Sequence, residues 1–90
     1  MPAVHRLADV CTGHGPHPPR PNIQGSPDVL VNGRAVHRVG DGWAGHDHGG
    51  VMATGSSSVR VNGRAMARVG DRVSCGSLAA TGSPNVFAGG

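Results

Sequence analysis

Residues 25–41 read GSPDVLVNGRAVHRVGD, and residues 55–71 read GSSSVRVNGRAMARVGD. The two stretches are offset by 30 residues, and the match between them is too long for chance. Each places Val-rich runs on both sides of an Asn-Gly pair, at Asn32-Gly33 and Asn62-Gly63. Asn-Gly favours the type I′ turn, which requires positive φ at both central residues. Each copy therefore predicts a β-hairpin that leaves through Gly-Asp into a loop.

A third copy is split between the two ends of the chain. The C-terminal GSPNVFAGG, residues 82–90, matches the first strand of the repeat, and the N-terminal MPAVHRLAD, residues 1–9, matches its second strand and exit. The spacings between repeat starts are 30, 27 and, through the ends, 33, which account for all 90 residues. We therefore predict one all-β domain over 1–90, with repeats at about 82–90 plus 1–24, 25–54 and 55–81. The three hairpin units would surround a pseudo-three-fold axis and close by pairing of the N- and C-terminal strands.

Comparison of the copies predicts which side chains face the core. The equivalent residues Val29, Val59 and Val86 are identical. The residues that follow them are Leu30, Arg60 and Phe87, which share no chemistry. Because successive side chains on a strand point to opposite faces, the valines are expected to point inward and the variable positions outward.

The composition predicts a domain with a thin core. The chain has 16 Gly, 7 Pro, one Trp, one Phe and no Tyr, with a net charge of +3. A small domain of this kind needs stabilisation beyond its core. All eight basic residues are Arg, and most recur at fixed repeat positions, which favours turn-holding ion pairs with Asp over a nucleic-acid surface. The N-terminus has no continuous apolar run, so no signal peptide is expected, and no stretch is long and apolar enough to span a membrane.

Three long loops follow Asp9, Asp41 and Asp71, and each carries a metal-ligand residue four or five positions after its Asp, with a fourth two positions further along the second loop. These residues are His14, His46, His48 and Cys75. A three-fold arrangement brings equivalent loop positions together, and three imidazoles with one thiolate form a tetrahedral set for Zn²⁺. A structural zinc in such a domain supplies folding free energy on the order of 10 kcal/mol.

Other residues compete for these roles. His17 lies among prolines, and Cys11 sits at the base of its loop, where a buried thiol is expected. In a reducing compartment the two cysteines are expected to be free thiols or metal ligands rather than a disulfide. His5 and His37 are equivalent to Ala67, which predicts packing or hydrogen bonding around the hairpins. Trp43 is expected to cover the core.

The motifs RAVHRVGD and RAMARVGD, each preceded by VNG, with CTGHG and SCG in the loops, resemble the PAAR-repeat proteins. The resemblance spans essentially the whole chain. It implies a small β-structured cone whose apex is held by a structural Zn²⁺, and the family's ligands fall on the same four residues, His14, His46, His48 and Cys75. The chain departs from Pro-Ala-Ala-Arg at the leading proline in all three copies. It also has Ala8 where the other copies have Gly40 and Gly70.

The resemblance implies a membrane-piercing tip rather than an enzyme. Such a tip caps the trimeric β-helical spike of a type VI secretion system or a phage tail, that is, the valine-glycine repeat protein or a phage hub. The chain would be a monomer on that trimeric partner, made in the bacterial cytoplasm and then delivered through the target envelope, and effectors remain open as further partners. No residue follows the last repeat, so no fused toxin is expected.

Two alternative functions are considered. A zinc hydrolase would need an open coordination position, which Cys75 would fill, and Asp47 is the only nearby carboxylate that could act as a general base. Binding to nucleic acid through the arginines would lack aromatic residues on which bases could stack.

Overall fold

The computed structural model describes residues 2–13, 18–43 and 50–89, and within these ranges the chain is all-β with no helix. Strand β1 (Leu30–Val31) pairs antiparallel with β2 (Arg34–Ala35), and β3 (Arg60–Val61) pairs antiparallel with β4 (Arg64–Ala65). Between β1 and β2, Asn32 and Gly33 have φ of 54° and 76°. The turn between β3 and β4 has nearly the same values. Both predicted hairpins are confirmed, with the positive φ angles that Asn-Gly favours.

Main-chain hydrogen bonds join the three repeats in a closed ring. The N–H of His5 donates to the carbonyl of Ala67 at 3.0 Å, that of Ala67 to His37 at 3.0 Å, and that of His37 back to His5 at 3.1 Å. All three residues are fully buried and occupy the same position of the repeat. Three equivalent bonds that return to their starting residue define a pseudo-three-fold axis. We call this closed set of three bonds the three-fold ring.

The split third hairpin is assembled from the two ends of the chain. Ala3 is bridged antiparallel to Phe87, and the N–H of Ala88 donates to the carbonyl of Pro2 at 3.0 Å. The N–H of Val4 donates to Val86 at 3.0 Å, as Val36 does to Val29 and Met66 to Val59 in the intact hairpins. The predicted pairing of the terminal strands is therefore confirmed.

The core consists of two small clusters of buried side chains. The cluster on the hairpin side comprises Val4, Val36, Val61 and Ala88, with Val29, Val31, Val59 and Met66 packed against it. The cluster on the loop side comprises Cys11, Trp43, Met52, Ala67, Val73 and Ala79, with Val39 and Cys75 against it. In the part of the chain that the structure describes, no helix has the length and apolarity needed to cross a membrane.

The burial expected of inward-pointing strand valines is found for two of them and not for the third. Val29 and Val59 are half-buried, and Leu30, Arg60 and Phe87 are exposed as expected. Val86, however, is 37% exposed. Its strand belongs to the split unit, so it lacks the connected turn that follows Val29 and Val59, and less of the chain covers it.

Each repeat exit is held by a buried ion pair, as predicted. The three pairs are Arg6–Asp9, Arg38–Asp41 and Arg68–Asp71, at 2.9, 2.8 and 3.1 Å. In two of them an arginine from the next hairpin joins the carboxylate: Arg34 reaches Asp9 at 3.3 Å, and Arg64 reaches Asp41 at 2.9 Å. These second arginines tie neighbouring units together, and the split unit has no equivalent residue to offer Asp71.

Ala8 is strained in a position where the other repeats have glycine. Its φ is 71°, while Gly40 and Gly70 have φ of 91° and 93°. A Cβ at positive φ costs the folded state roughly 1–2 kcal/mol. Replacement by glycine removes this strain, but glycine loses more conformational entropy on folding, which offsets about half of the gain. Ala8→Gly is therefore expected to stabilise the protein by roughly 0.5–1 kcal/mol, measured by thermal unfolding.

The reverse change provides the control for Ala8→Gly. A Cβ built on Gly70 has no atom within 4 Å, so Gly70→Ala tests backbone strain without a steric clash. It should lower the melting temperature by an amount similar to the gain from Ala8→Gly. A lower melting temperature for Ala8→Gly would contradict the strain argument.

Candidate metal centre

The loop bases converge on the turn that carries Cys75. The N–H of Thr12 donates to the carbonyl of Leu78 at 2.8 Å, and the Ser77 hydroxyl donates to the carbonyl of Gly13 at 3.3 Å. From the second loop, Val51 accepts a main-chain bond from Ser74 at 2.8 Å and donates its own N–H to the Ser74 hydroxyl at 3.0 Å. Two segments that are far apart in sequence, 12–13 and 51, are thus tied to residues 74–78.

Cys75 is partly exposed and lies next to the end of the second loop. A Cβ built on Gly50 would sit 3.7 Å from the Cys75 Sγ and 2.9 Å from a Val73 methyl. The side chain packs against the loop-side cluster, and both cysteines are free thiols. Glycine at position 50 therefore leaves the chain room to pass beside the thiol.

The three predicted histidine ligands lie outside the described residues. So do His17 and Asp47, which were considered as a competing ligand and as a possible general base. The first described range ends at Gly13, just before His14. The last described range begins at Gly50, just after the segment that contains His46 and His48. Gly13 is bonded to Ser77, and Gly50 lies beside Val73 and Cys75, so one flank of each segment reaches the 73–77 turn. Among the described residues alone, no group of three or more His, Cys, Asp or Glu side chains could hold a metal ion.

Cys11 is placed as expected, at the base of its loop. It is 1% exposed, and its Sγ accepts a hydrogen bond from the N–H of Arg20 at 3.4 Å. Burial raises the pKa of the Cys11 thiol, but hydrogen bonds from Ser77 and from the Arg20 and Gly13 main chain outweigh it and leave the pKa below its usual value. Cys11 is equivalent in the repeat to Trp43 and Val73, both of which are core residues.

A buried histidine pair lies at the three-fold ring beside the loop-side cluster. His5 Nδ1 donates to the carbonyl of Thr81 at 2.7 Å, and His37 Nδ1 donates to that of Gln24 at 2.7 Å. A carbonyl can only accept, so both rings carry their proton on Nδ1 and present a lone pair at Nε2. The Nε2 of His5 accepts from Asn22 at 3.0 Å, whereas that of His37 is buried with no partner among the described residues.

Trp43 packs against both histidine rings. Its ring stacks on His5 at a centroid distance of 5.2 Å and meets His37 edge-on at 4.6 Å. The indole N–H donates to the carbonyl of Arg20 at 2.8 Å, and the residue is 4% exposed. Trp43 is thus part of the core itself, whereas the sequence led us to expect that it covers the core. The sequence showed that His5, His37 and Ala67 are equivalent, but it did not show that they meet on the axis.

Protonation of the histidine pair is expected to destabilise the fold. Burial lowers the pKa of His37 from 6.5 to about 4, with Arg38 and His5 opposing protonation and Asp41 favouring it. Burial also lowers the pKa of His5, where Arg6 and Arg34 oppose Asp9. The unfolded chain therefore takes up these protons first as the pH falls. Stability is complete above about pH 6.5 and is lost towards pH 4, by roughly 3 kcal/mol from His37.

The measurement is the melting temperature of wild type and His37→Gln at saturating zinc between pH 7.5 and pH 4.5. The glutamine variant cannot take up the proton at position 37, so its loss over this range should be clearly smaller. Trp43 fluorescence reports on the same region. Equal losses in the two proteins would show that the acid sensitivity arises elsewhere.

Comparison with known protein families identifies the family to which the chain belongs. The PAAR motif matches residues 12–79 and again residues 44–90. The chain belongs to the PAAR-motif family. PAAR-motif proteins are structural and are not known as enzymes. The two matches overlap and together cover residues 12–90. No curated protein matches the sequence.

Proposed function

We propose that this PAAR protein is the pointed cap of a contractile injection machine, either a type VI secretion system or a phage tail. It would sit on the blunt end of a trimeric β-helical spike and be carried with it through the target envelope. The observation that carries the proposal is the three-fold ring of main-chain bonds through His5, His37 and Ala67. A single chain with internal three-fold repetition can match the end of a trimer with one molecule.

Structural zinc at the apex is the second part of the proposal. Cys75, together with His14, His46 and His48, would hold the ion, and the contacts of Gly13 and Gly50 with the 73–77 turn support this arrangement. Bound Zn²⁺ would cross-link the three loops that follow Asp9, Asp41 and Asp71. Such a cross-link would keep the tip from fraying under force.

The ion pairs of the fold favour this structural role over binding to nucleic acid. Five arginines are paired with aspartates, namely Arg6, Arg34, Arg38, Arg64 and Arg68. Their guanidinium groups hold the repeat exits and the contacts between units, and the three carboxylates Asp9, Asp41 and Asp71 offset three of the five charges. Affinity for phosphates depends on arginines and lysines that are free to replace counterions.

The test is co-expression with a trimeric β-helical spike protein from a contractile injection machine. Native mass spectrometry of the purified complex should show one copy of this chain per spike trimer, and elemental analysis should show one zinc per copy. Failure to form a complex would overturn the cap assignment, and so would three copies per trimer. A complex without zinc would overturn only the metal part.

A further inference from the structure

Three exposed side chains of different chemistry occupy one position of the repeat. Leu30 is 62% exposed, Phe87 is 51% exposed, and Arg60 is also exposed. Each follows a valine on the first strand of its hairpin, and the three are related by the pseudo-three-fold axis. We call this set the outward triad.

The main chain of the outward triad faces away from its own hairpin. In the first intact hairpin, Val31 and Arg34 flank the two-residue turn, and the N–H of Val36 donates to the carbonyl of Val29 at 3.0 Å. Antiparallel ladders alternate bonded and non-bonded pairs, so Leu30 and Ala35 form a non-bonded pair. The N–H and carbonyl of Leu30 therefore point to the free edge of the hairpin.

The same alternation applies to the other two members. Arg60 pairs with Ala65 in the same register. In the split unit, Phe87 lies between Val86, which accepts from Val4, and Ala88, which donates to Pro2. The described part of the fold thus has three open strand edges in equivalent positions, each with an N–H and a carbonyl available to a partner strand.

We infer that the outward triad is a docking ring for the end strands of a three-fold partner, whose three identical contact positions must each accept Leu30, Arg60 or Phe87. The inference rests on the proposed function, and it specifies the chemistry of the partner. Main-chain pairing at the open edges is the contact that all three positions share. The side-chain contact must suit two apolar residues and one arginine.

One kind of surface meets that requirement. An apolar patch accommodates Leu30, Phe87 and the aliphatic stem of Arg60, since arginine buries its stem while its charged end stays hydrated. A carboxylate or carbonyl oxygen at the rim of the patch pairs with the guanidinium in one copy. In the other two copies that oxygen remains in water and carries no desolvation cost.

An exchange of residues between the two intact hairpins tests the inference. The double variant Leu30→Arg with Arg60→Leu keeps the composition and net charge of the wild type, and both positions are exposed. Because the three partner sites are identical, the exchanged protein should bind the trimeric β-helical spike within about twofold of wild type. The single variant Leu30→Asp places a carboxylate against the apolar patch and its rim oxygen, which no member of the outward triad does, and should bind about tenfold more weakly, equivalent to ~1.4 kcal/mol.

A proline substitution tests the main-chain contact. Proline is tolerated where a strand N–H faces outward, so Leu30→Pro should fold while it removes one donor from the open edge. It should weaken spike binding by at least about tenfold. Melting temperatures of all variants must first show that the fold is kept, and Arg60→Pro provides a second site if Leu30→Pro does not fold.

The outcomes separate this inference from the proposed function. Failure of the wild type to bind the spike would overturn both. Wild-type binding with a tenfold loss in the exchanged variant would overturn the shared-site inference and leave the cap assignment intact. Unchanged binding of a folded proline variant would overturn the main-chain pairing. Near-equal binding of wild type and exchanged variant, with weak binding of the single variant, would support the inference.

Discussion

Cys75→Ser is expected to abolish stable zinc binding, whereas Cys11→Ser is expected to leave it unchanged. The thiol of Cys75 is partly exposed on the turn where the loop bases converge, and that of Cys11 is 1% exposed at the base of its loop. Loss of a direct ligand should weaken zinc binding by more than the ~10–100-fold that follows loss of a residue supporting a ligand. Because a structural zinc contributes on the order of 10 kcal/mol, the variant should also be partly unfolded or strongly destabilised.

Two measurements check this prediction. Competition with a chromophoric chelator gives the zinc affinity of each variant, and melting curves with and without chelator give the contribution of the metal to stability. Chelation should lower the melting temperature of wild type and of Cys11→Ser, and have little further effect on Cys75→Ser. Wild-type zinc affinity in Cys75→Ser would remove Cys75 from the ligand set, and loss of zinc in Cys11→Ser would assign that role to Cys11.

Asp41→Ala is expected to cause the largest loss of stability among substitutions at the repeat exits. The Asp41 carboxylate is fully buried and accepts hydrogen bonds of 2.8–2.9 Å from the Arg38 main chain, the Arg38 guanidinium and Arg64. Burial raises the pKa of Asp41, but its bonds with Arg38 outweigh that effect and lower the pKa below its usual value. Its removal leaves Arg38, which is 6% exposed, with a buried charge and no carboxylate. Breaking a buried pair in this way costs about 3–5 kcal/mol.

Asp71→Ala and Asp28→Ala are the matched controls for Asp41→Ala. Asp71 pairs with Arg68 and accepts a bond from the Thr54 hydroxyl at 3.1 Å, but it has no second arginine. Its removal should cost less than that of Asp41. Asp28 is exposed and should rank last. Urea denaturation gives the three free energies of unfolding, and a loss for Asp41→Ala no greater than that for Asp28→Ala would refute the role assigned to the buried pair.

The hairpins and the closure of the chain could be predicted from the sequence because both depend on local or repeated signals. Asn-Gly at positions 32–33 and 62–63 specifies a two-residue turn through its own backbone preference, and the structure has those turns. The match of residues 82–90 and 1–9 to the two strands of the repeat predicted the pairing of Ala3 with Phe87. The ion pairs at the exits followed from the fixed spacing between each Arg and Asp. The zinc ligands remain a prediction, carried by the loop register and by the family resemblance.

The contacts between units could not be predicted, because they depend on how three distant segments meet. Equivalence of His5, His37 and Ala67 in the repeat did not show that their main chains form a closed ring, since that requires the three-dimensional path of each unit. The burial of His37 Nε2 without a partner depends on Trp43 and neighbouring loops packing around it. Val86 is more exposed than its inward direction led us to expect, because strand alternation gives direction but not the amount of chain available to cover a residue. Local sequence therefore determined the turns and their register. Tertiary packing determined which side chains are buried, which charged groups lie next to each other, and which strand edges remain unpaired.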